Sequence, residues 1–242
     1  MIARWFDFKF PEDKIIVDKI YYTGCEFIKA AFGENDAKGS EVEQSLWEVT
    51  IKLSKVVAEI KFFQAYNSIY EQKLIEETKN NITAIPTLEL ARCIENFLTQ
   101  SIGALDIFAT QFLKALFNYS YRDWNHEKII RHLEKQTQLD KEAVHKIKQL
   151  LENAWNEWLE KFNDDRNLHH EKNFGLSLIS LIDGKPHLVL SRRDGTKTAD
   201  VLDYLVTHWN KLFWLIENMI RLSFWALRPD RKIFFFSQFT RF

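Results

Sequence analysis

Asn163-Asp164-Asp165-Arg166-Asn167-Leu168-His169-His170-Glu171 stands at the close of a long helix-like run, and the chain reads differently on its two sides. Before it, apolar residues recur at helical spacing in one run after another. After it come a short hairpin pattern and one more long helical run. The stretch also concentrates the groups suited to proton transfer or phosphate chemistry: a guanidinium, two imidazoles and several carboxylates.

Working back from it, Asp140 is placed to cap a helix in which Val144, Ile147, Leu151, Trp155, Trp158 and Phe162 fall on one face. Continuing that stripe by four residues lands on Arg166, which aims the arginine toward the interior or mouth of a bundle. His169 and His170 follow at three and four residues and share its face if the helix persists. An inward guanidinium needs a partner. The candidates are an acid on another helix, such as Asp106, or a bound anion. The alternative is plainer: cations near a helix C-terminus complement its macrodipole, and the Asn and His residues mark fraying into a loop.

Further out, residues 5–10 alternate as a short strand or extended arm, and a helix is expected from Glu12 to Ala31, stopped by Gly33. Ser40-Glu41-Val42-Glu43 matches a capping box. Behind it Val42, Leu46, Val49, Leu53, Val56, Ile60 and Phe63 form a single stripe. Thr87 opens the next helix, whose stripe of Leu90, Ile94, Phe97, Ser101, Leu105, Phe108 and Phe112 is wide enough for more than one neighbour. A short helix is expected from Asn125 to Gln136. Beyond the focal stretch, Asp183-Gly184 between two apolar runs signals a hairpin. A last long helix starts near Thr198 or Asp200, carries Leu202, Leu205, Trp209, Leu212, Ile216 and Met219, and ends at Pro229. The tail from Arg231 to Phe242 holds Phe234-Phe235-Phe236, too apolar to stand in water, and must pack on the domain or on another chain.

The expected fold is therefore all-α, a bundle of four to five long helices with a small β-hairpin inserted before the last long helix. With no repeat and no Pro/Gly/Ser-rich linker, residues 1–242 read as one helical domain. It divides into an N-terminal helical region over 1–85, a core over 86–228 and the aromatic tail over 229–242. A hydrophobic content of 46% and an aromatic content of 14% exclude disorder. The 33 basic residues against 34 acidic ones exclude broad electrostatic capture of nucleic acid and leave only a local patch. Cys25 and Cys93 fit neither a disulfide framework nor a thiolate metal site, which suits a reducing cytoplasm. No run suggests a membrane span. Adjacent histidines point about 100° apart on a helix, and no histidine has metal-ligand spacing, so neither metal nor cofactor is expected. There is no glycine-rich phosphate loop and no Gly-x-Ser-x-Gly elbow, which argues against nucleotide-fold and α/β-hydrolase enzymes.

The run Arg166-Asn167-Leu168-His169-His170, ending one bundle helix and preceding a short hairpin and a final long helix, resembles the HEPN superfamily. The helix over 87–118, with Ser101-Ile102-Gly103-Ala104-Leu105-Asp106 at its centre, is similar to the first core helix of such a domain. The resemblance covers about residues 86–228, with the arginine and histidine closer together than the family usually has them. It implies a metal-independent endoribonuclease of a toxin–antitoxin or defence system, with Arg166 and His170 as principal residues and Asn167 and His169 assisting. It also implies a homodimer, an RNA substrate and an antitoxin or other protein partner. Two other readings stay open. One is a non-catalytic dimerisation, adaptor or RNA-binding module. The other is a helix-turn-helix over 125–155, which its thin basic face disfavours.

Overall fold

The computed structural model of the chain describes residues 13–34, 36–79, 88–170, 175–182, 185–191 and 200–237. Helix α1 (Asp13–Phe32) stops where Gly33 turns to φ 90° and its N–H bonds the Lys29 carbonyl at 2.9 Å. A side chain would be strained in that left-handed conformation. Helix α2 (Ala37–Lys79) starts earlier than the Ser40 box suggests, because Asp36 caps it. Its Oδ1 accepts the Gly39 N–H at 3.0 Å, and the Ser40 hydroxyl donates to the Asp36 carbonyl at 3.1 Å. The α2 stripe from Val42 to Phe63 is buried, every member at 2% exposure or less.

Helix α3 spans 88–117. It consists of α-helical Leu88–Ile107, a π-helical stretch Phe108–Leu113 and Lys114–Phe117, and Asn118 closes it at φ 58°. Thr87, the expected cap, lies outside the described residues, as does the arm over 5–10. Asp106, named above as a candidate partner for Arg166, is half-buried and accepts the Trp124 N–H at 2.9 Å. Helix α4 (His126–Glu134) is capped by Asn125. Helix α5 spans 141–170 as Lys141–Ala154, a π-helical Trp155–Leu159 and Glu160–His170, with Asp140 accepting the Ala143 N–H at 2.8 Å. Two antiparallel strands follow, β1 (Gly175–Ile182) and β2 (Lys185–Ser191), with Gly175 opposite Ser191, Ile182 opposite Lys185 and an irregularity between Ser177 and Ser180. The turn residues Asp183 and Gly184 lie outside the described residues. Helix α6 (Val201–Leu227), a 3₁₀ turn Pro229–Arg231 and α7 (Lys232–Ser237) complete the chain, whose class is all-α. No helix among the described residues is long and apolar enough to cross a membrane.

The chain forms two compact units, one of 1–54, 103–159 and 212–242, the other of 55–102 and 160–211. In the first, Gly24 on α1 lies where any Cβ would collide with Leu46 of α2, which explains a glycine inside a helix. The aromatic tail packs on this unit through Phe235, fully buried, with its ring 5.1 Å from Phe27 and 5.9 Å from Phe224. Arg221 ties that packing together. Its guanidinium donates to the Glu217 carboxylate at 2.7 Å and to the Phe235 carbonyl at 3.1 Å, with both side chains about nine-tenths buried. Burial pushes the Glu217 carboxyl up, and the arginine one turn away pulls it back toward the charged form.

Breaking a buried pair on one side strands the other charge, whereas replacing both partners with apolar residues removes the desolvation penalty as well. Arg221→Ala is therefore expected to lower unfolding stability by about 3–5 kcal/mol. The double change Glu217→Leu with Arg221→Met should fall within about 1 kcal/mol of the parent apart from the lost tail contact. Urea denaturation of the three proteins checks this.

Candidate functional site

The last segment of α5, Glu160–His170, belongs to the second unit, and its inner row explains what the focal stretch does. Phe162 is 1% exposed, and its ring meets Phe97 edge-on at 6.0 Å and stacks on His208 at 4.8 Å. The next buried residue is Asp165, at 1% exposure. Extending the stripe by four residues had put Arg166 at this place; the helix puts Asp165 there, three residues on, and leaves Arg166 half-buried beside it. Both positions are compatible with a repeat of 3.6 residues per turn, and the neighbouring side chains decide between them.

The decisive neighbour is Tyr204, on the first turn of α6. Its hydroxyl donates to Asp165 Oδ2 at 2.7 Å, in a buried contact. One turn further on, His208 Nδ1 lies 2.8 Å from the Tyr204 carbonyl, and the two rings are 4.1 Å apart. A carbonyl oxygen only accepts, so Nδ1 carries a proton in this contact. Asp165, Tyr204 and His208 thus form a connected polar row inside an aromatic wall of Phe97 and Phe162.

Arg166 stands one residue, about 100°, round the helix from Asp165. Its Nη1 donates to Asn167 Oδ1 at 3.4 Å, a long bond, and its Nε is enclosed without a hydrogen-bond partner among the described residues. An enclosed N–H of a cation with nothing to bond is costly, and an anion would satisfy it. Asn167 is exposed. The backbone remains helical through His170, so His169 and His170 hold positions three and four after Arg166. Their side chains, and with them the expected roles as assistant and principal base, lie outside the described residues. The structure thus brings Arg166 and Asn167 together.

Tyr204 and His208 carry the part of the site that the sequence reading missed. The available signal is a Tyr-x-x-x-His pair, each member of which precedes a buried residue, Leu205 and Trp209. Among the described residues, no three His, Cys, Asp or Glu side chains gather in a group able to hold a metal ion.

Neither thiol is poised as a nucleophile. Burial, reinforced by Glu43, pushes Cys25 up to about 11, and burial, reinforced by the neighbouring Glu59, holds Cys93 well above the usual thiol range. Cys93, 2% exposed, donates its S–H to the Glu59 carbonyl at 2.8 Å.

Two outcomes follow. Tyr204→Phe should cost about 2 kcal/mol of stability, the size of a buried hydrogen bond to a charged group, read by thermal denaturation. Both thiols should react with a disulfide reagent at least about tenfold more slowly at pH 8 than free cysteine. The Cys25 rate should climb only as the pH approaches 11, as a stopped-flow pH series of the folded chain would record. No protein-family model, no characterised protein and no solved structure matches the chain.

Proposed function

We propose that the chain is a HEPN-like, metal-independent endoribonuclease of a toxin–antitoxin or defence system, working in the cytoplasm as a homodimer. In this reading the hairpin closed by Asp183-Gly184 is the insertion between the motif helix and the last long helix. The observation that carries the proposal is the enclosed, unbonded Nε of Arg166, set beside Asn167 on a helix that continues to His169 and His170. This is a cation held in place with a valence left for an anion.

The chemistry needs no metal. The imidazole of His170 takes the proton of a ribose 2′-hydroxyl, and the 2′-oxygen attacks the adjacent phosphorus. The 5′-oxygen leaves with a proton, giving a 2′,3′-cyclic phosphate. Arg166 stabilises the charge that grows on the phosphoryl oxygens, Asn167 orients the phosphate, and His169 assists proton transfer. A single arginine and histidine pair is a small catalytic set, which is the reason for the homodimer, with two copies contributing to one cleft.

A second reading has its own support. The buried Asp165–Tyr204 bond anchors the same helix end, as a non-catalytic dimerisation, adaptor or RNA-binding module also requires. The two readings separate by experiment. With mixed RNA and excess chelator, the wild type should cleave, and Arg166→Ala and His170→Ala should each lower the rate by about a hundredfold or more with little change in melting temperature. Cleavage that is absent from the wild type, or equal in all three proteins, would leave the non-catalytic reading in its place.

A further inference from the structure

A second place in the same unit has the makings of a ligand site. Helices α2 and α3 flank a cleft of about 380 Å³, lined by Glu59 and Phe62 from α2 and by Glu89, Arg92, Cys93 and Asn96 from α3. That volume falls in the range of small-molecule pockets. The spacing of three and four residues along both helices is what turns these side chains to one opening.

The lining is organised. Asn96 Nδ2 donates to Glu59 Oε1 at 3.3 Å, a long bond that leaves lone pairs on both carboxylate oxygens. Cys93 holds the backbone carbonyl of the same Glu59 at 2.8 Å, so the residue is anchored at both ends. Phe62 is 47% exposed, although Tyr66 stacks on it with ring centroids 5.5 Å apart and planes 23° from parallel. An aromatic ring still nearly half exposed beside the cleft is a surface for a flat ligand.

The charges narrow its class. Two carboxylates against one guanidinium make the lining net acidic, which disfavours a phosphate inside it. The groups instead suit a planar ring with a pair of adjacent N–H donors for a carboxylate and a pair of acceptors for a guanidinium. Guanine has both: N1–H and the 2-amino group face an acid, and O6 and N7 face an arginine. Adenine offers a ring acceptor where the carboxylate needs a donor, and cytosine offers it a single amino group. We propose that this cleft binds a guanine base, stacked against Phe62 and read by the Glu59 carboxylate and the Arg92 guanidinium. Single-stranded RNA presents bases in this way, splayed onto aromatic side chains and bonded along their edges, and a free guanine nucleotide has the same chemistry. The site stands apart from Arg166 and does not depend on whether the chain cuts RNA.

Calorimetric titration of the full chain with 5′-GMP, 5′-IMP, 5′-AMP and 5′-CMP tests it. GMP should bind saturably. IMP, lacking the 2-amino group, should bind about tenfold more weakly, and AMP and CMP at least about tenfold more weakly. Glu59→Gln, nearly the same shape, and Arg92→Ala should each weaken GMP about tenfold or more, while Arg166→Ala should leave GMP affinity unchanged. A four-nucleotide RNA with one guanosine among uridines distinguishes the sources. Binding tighter than GMP assigns the cleft to RNA, and binding of GMP alone assigns it to a free nucleotide. Equal affinity for all four nucleotides, no binding, or indifference to Glu59→Gln and Arg92→Ala would overturn the assignment. Failure of the ribonuclease assay would not.

Discussion

A carboxylate at 1% exposure survives in the second unit in company with a tyrosine hydroxyl that donates to it at 2.7 Å. Desolvating an ionised acid costs several kcal/mol, so the rotation of this helix end depends on Asp165 meeting its polar partners. Phe162, one turn earlier, shares the requirement, because its ring is held between Phe97 and His208. Together they determine which way the last turns of α5 face. Arg166 and Asn167 inherit their positions from that choice.

Two arginines in the chain differ in how far their N–H groups are satisfied. Arg221 is buried, and its guanidinium is bonded to both the Glu217 carboxylate and the Phe235 carbonyl. Its work is to hold the C-terminal aromatic helix against α6. Arg166 is half-buried, and among the described residues it makes one long bond to a neighbouring amide and keeps an enclosed N–H with no partner. The first arrangement is complete within the unit. The second leaves an N–H unsatisfied among the described residues, and this difference is the physical basis for the proposal that an anion binds there.

Helix existence was legible wherever a stripe was long. The α2 pattern from Val42 to Phe63 is buried member for member, Asp140 caps its helix as its place suggested, and the helices capped by Asn125 and Asp200 begin close to the expected starts. Asp36 rather than Ser40 caps α2 because the helix already runs through Ser40, whose hydroxyl is turned to the Asp36 carbonyl. Neither π-helical stretch, Phe108–Leu113 or Trp155–Leu159, was anticipated, because apolar residues continue at three- and four-residue spacing through both. In the candidate site, Arg166 and Asn167 were visible as residue types. Tyr204 and His208 were not, because they lie about forty residues away along the chain.

The sequence by itself determined the all-α class, the long helices, the Asp140 cap and the Gly33 stop, and the Arg-Asn pair near a helix end. These follow from local periodicity and from side chains that bond their own backbone. Only the tertiary structure decided that Asp165 rather than Arg166 takes the innermost position. It alone brought Tyr204 and His208 to that acid, and it alone opened a cleft between α2 and α3. A 3.6-residue repeat leaves two adjacent residues nearly equivalent, and the choice between them is made by whichever distant side chain can satisfy the buried charge.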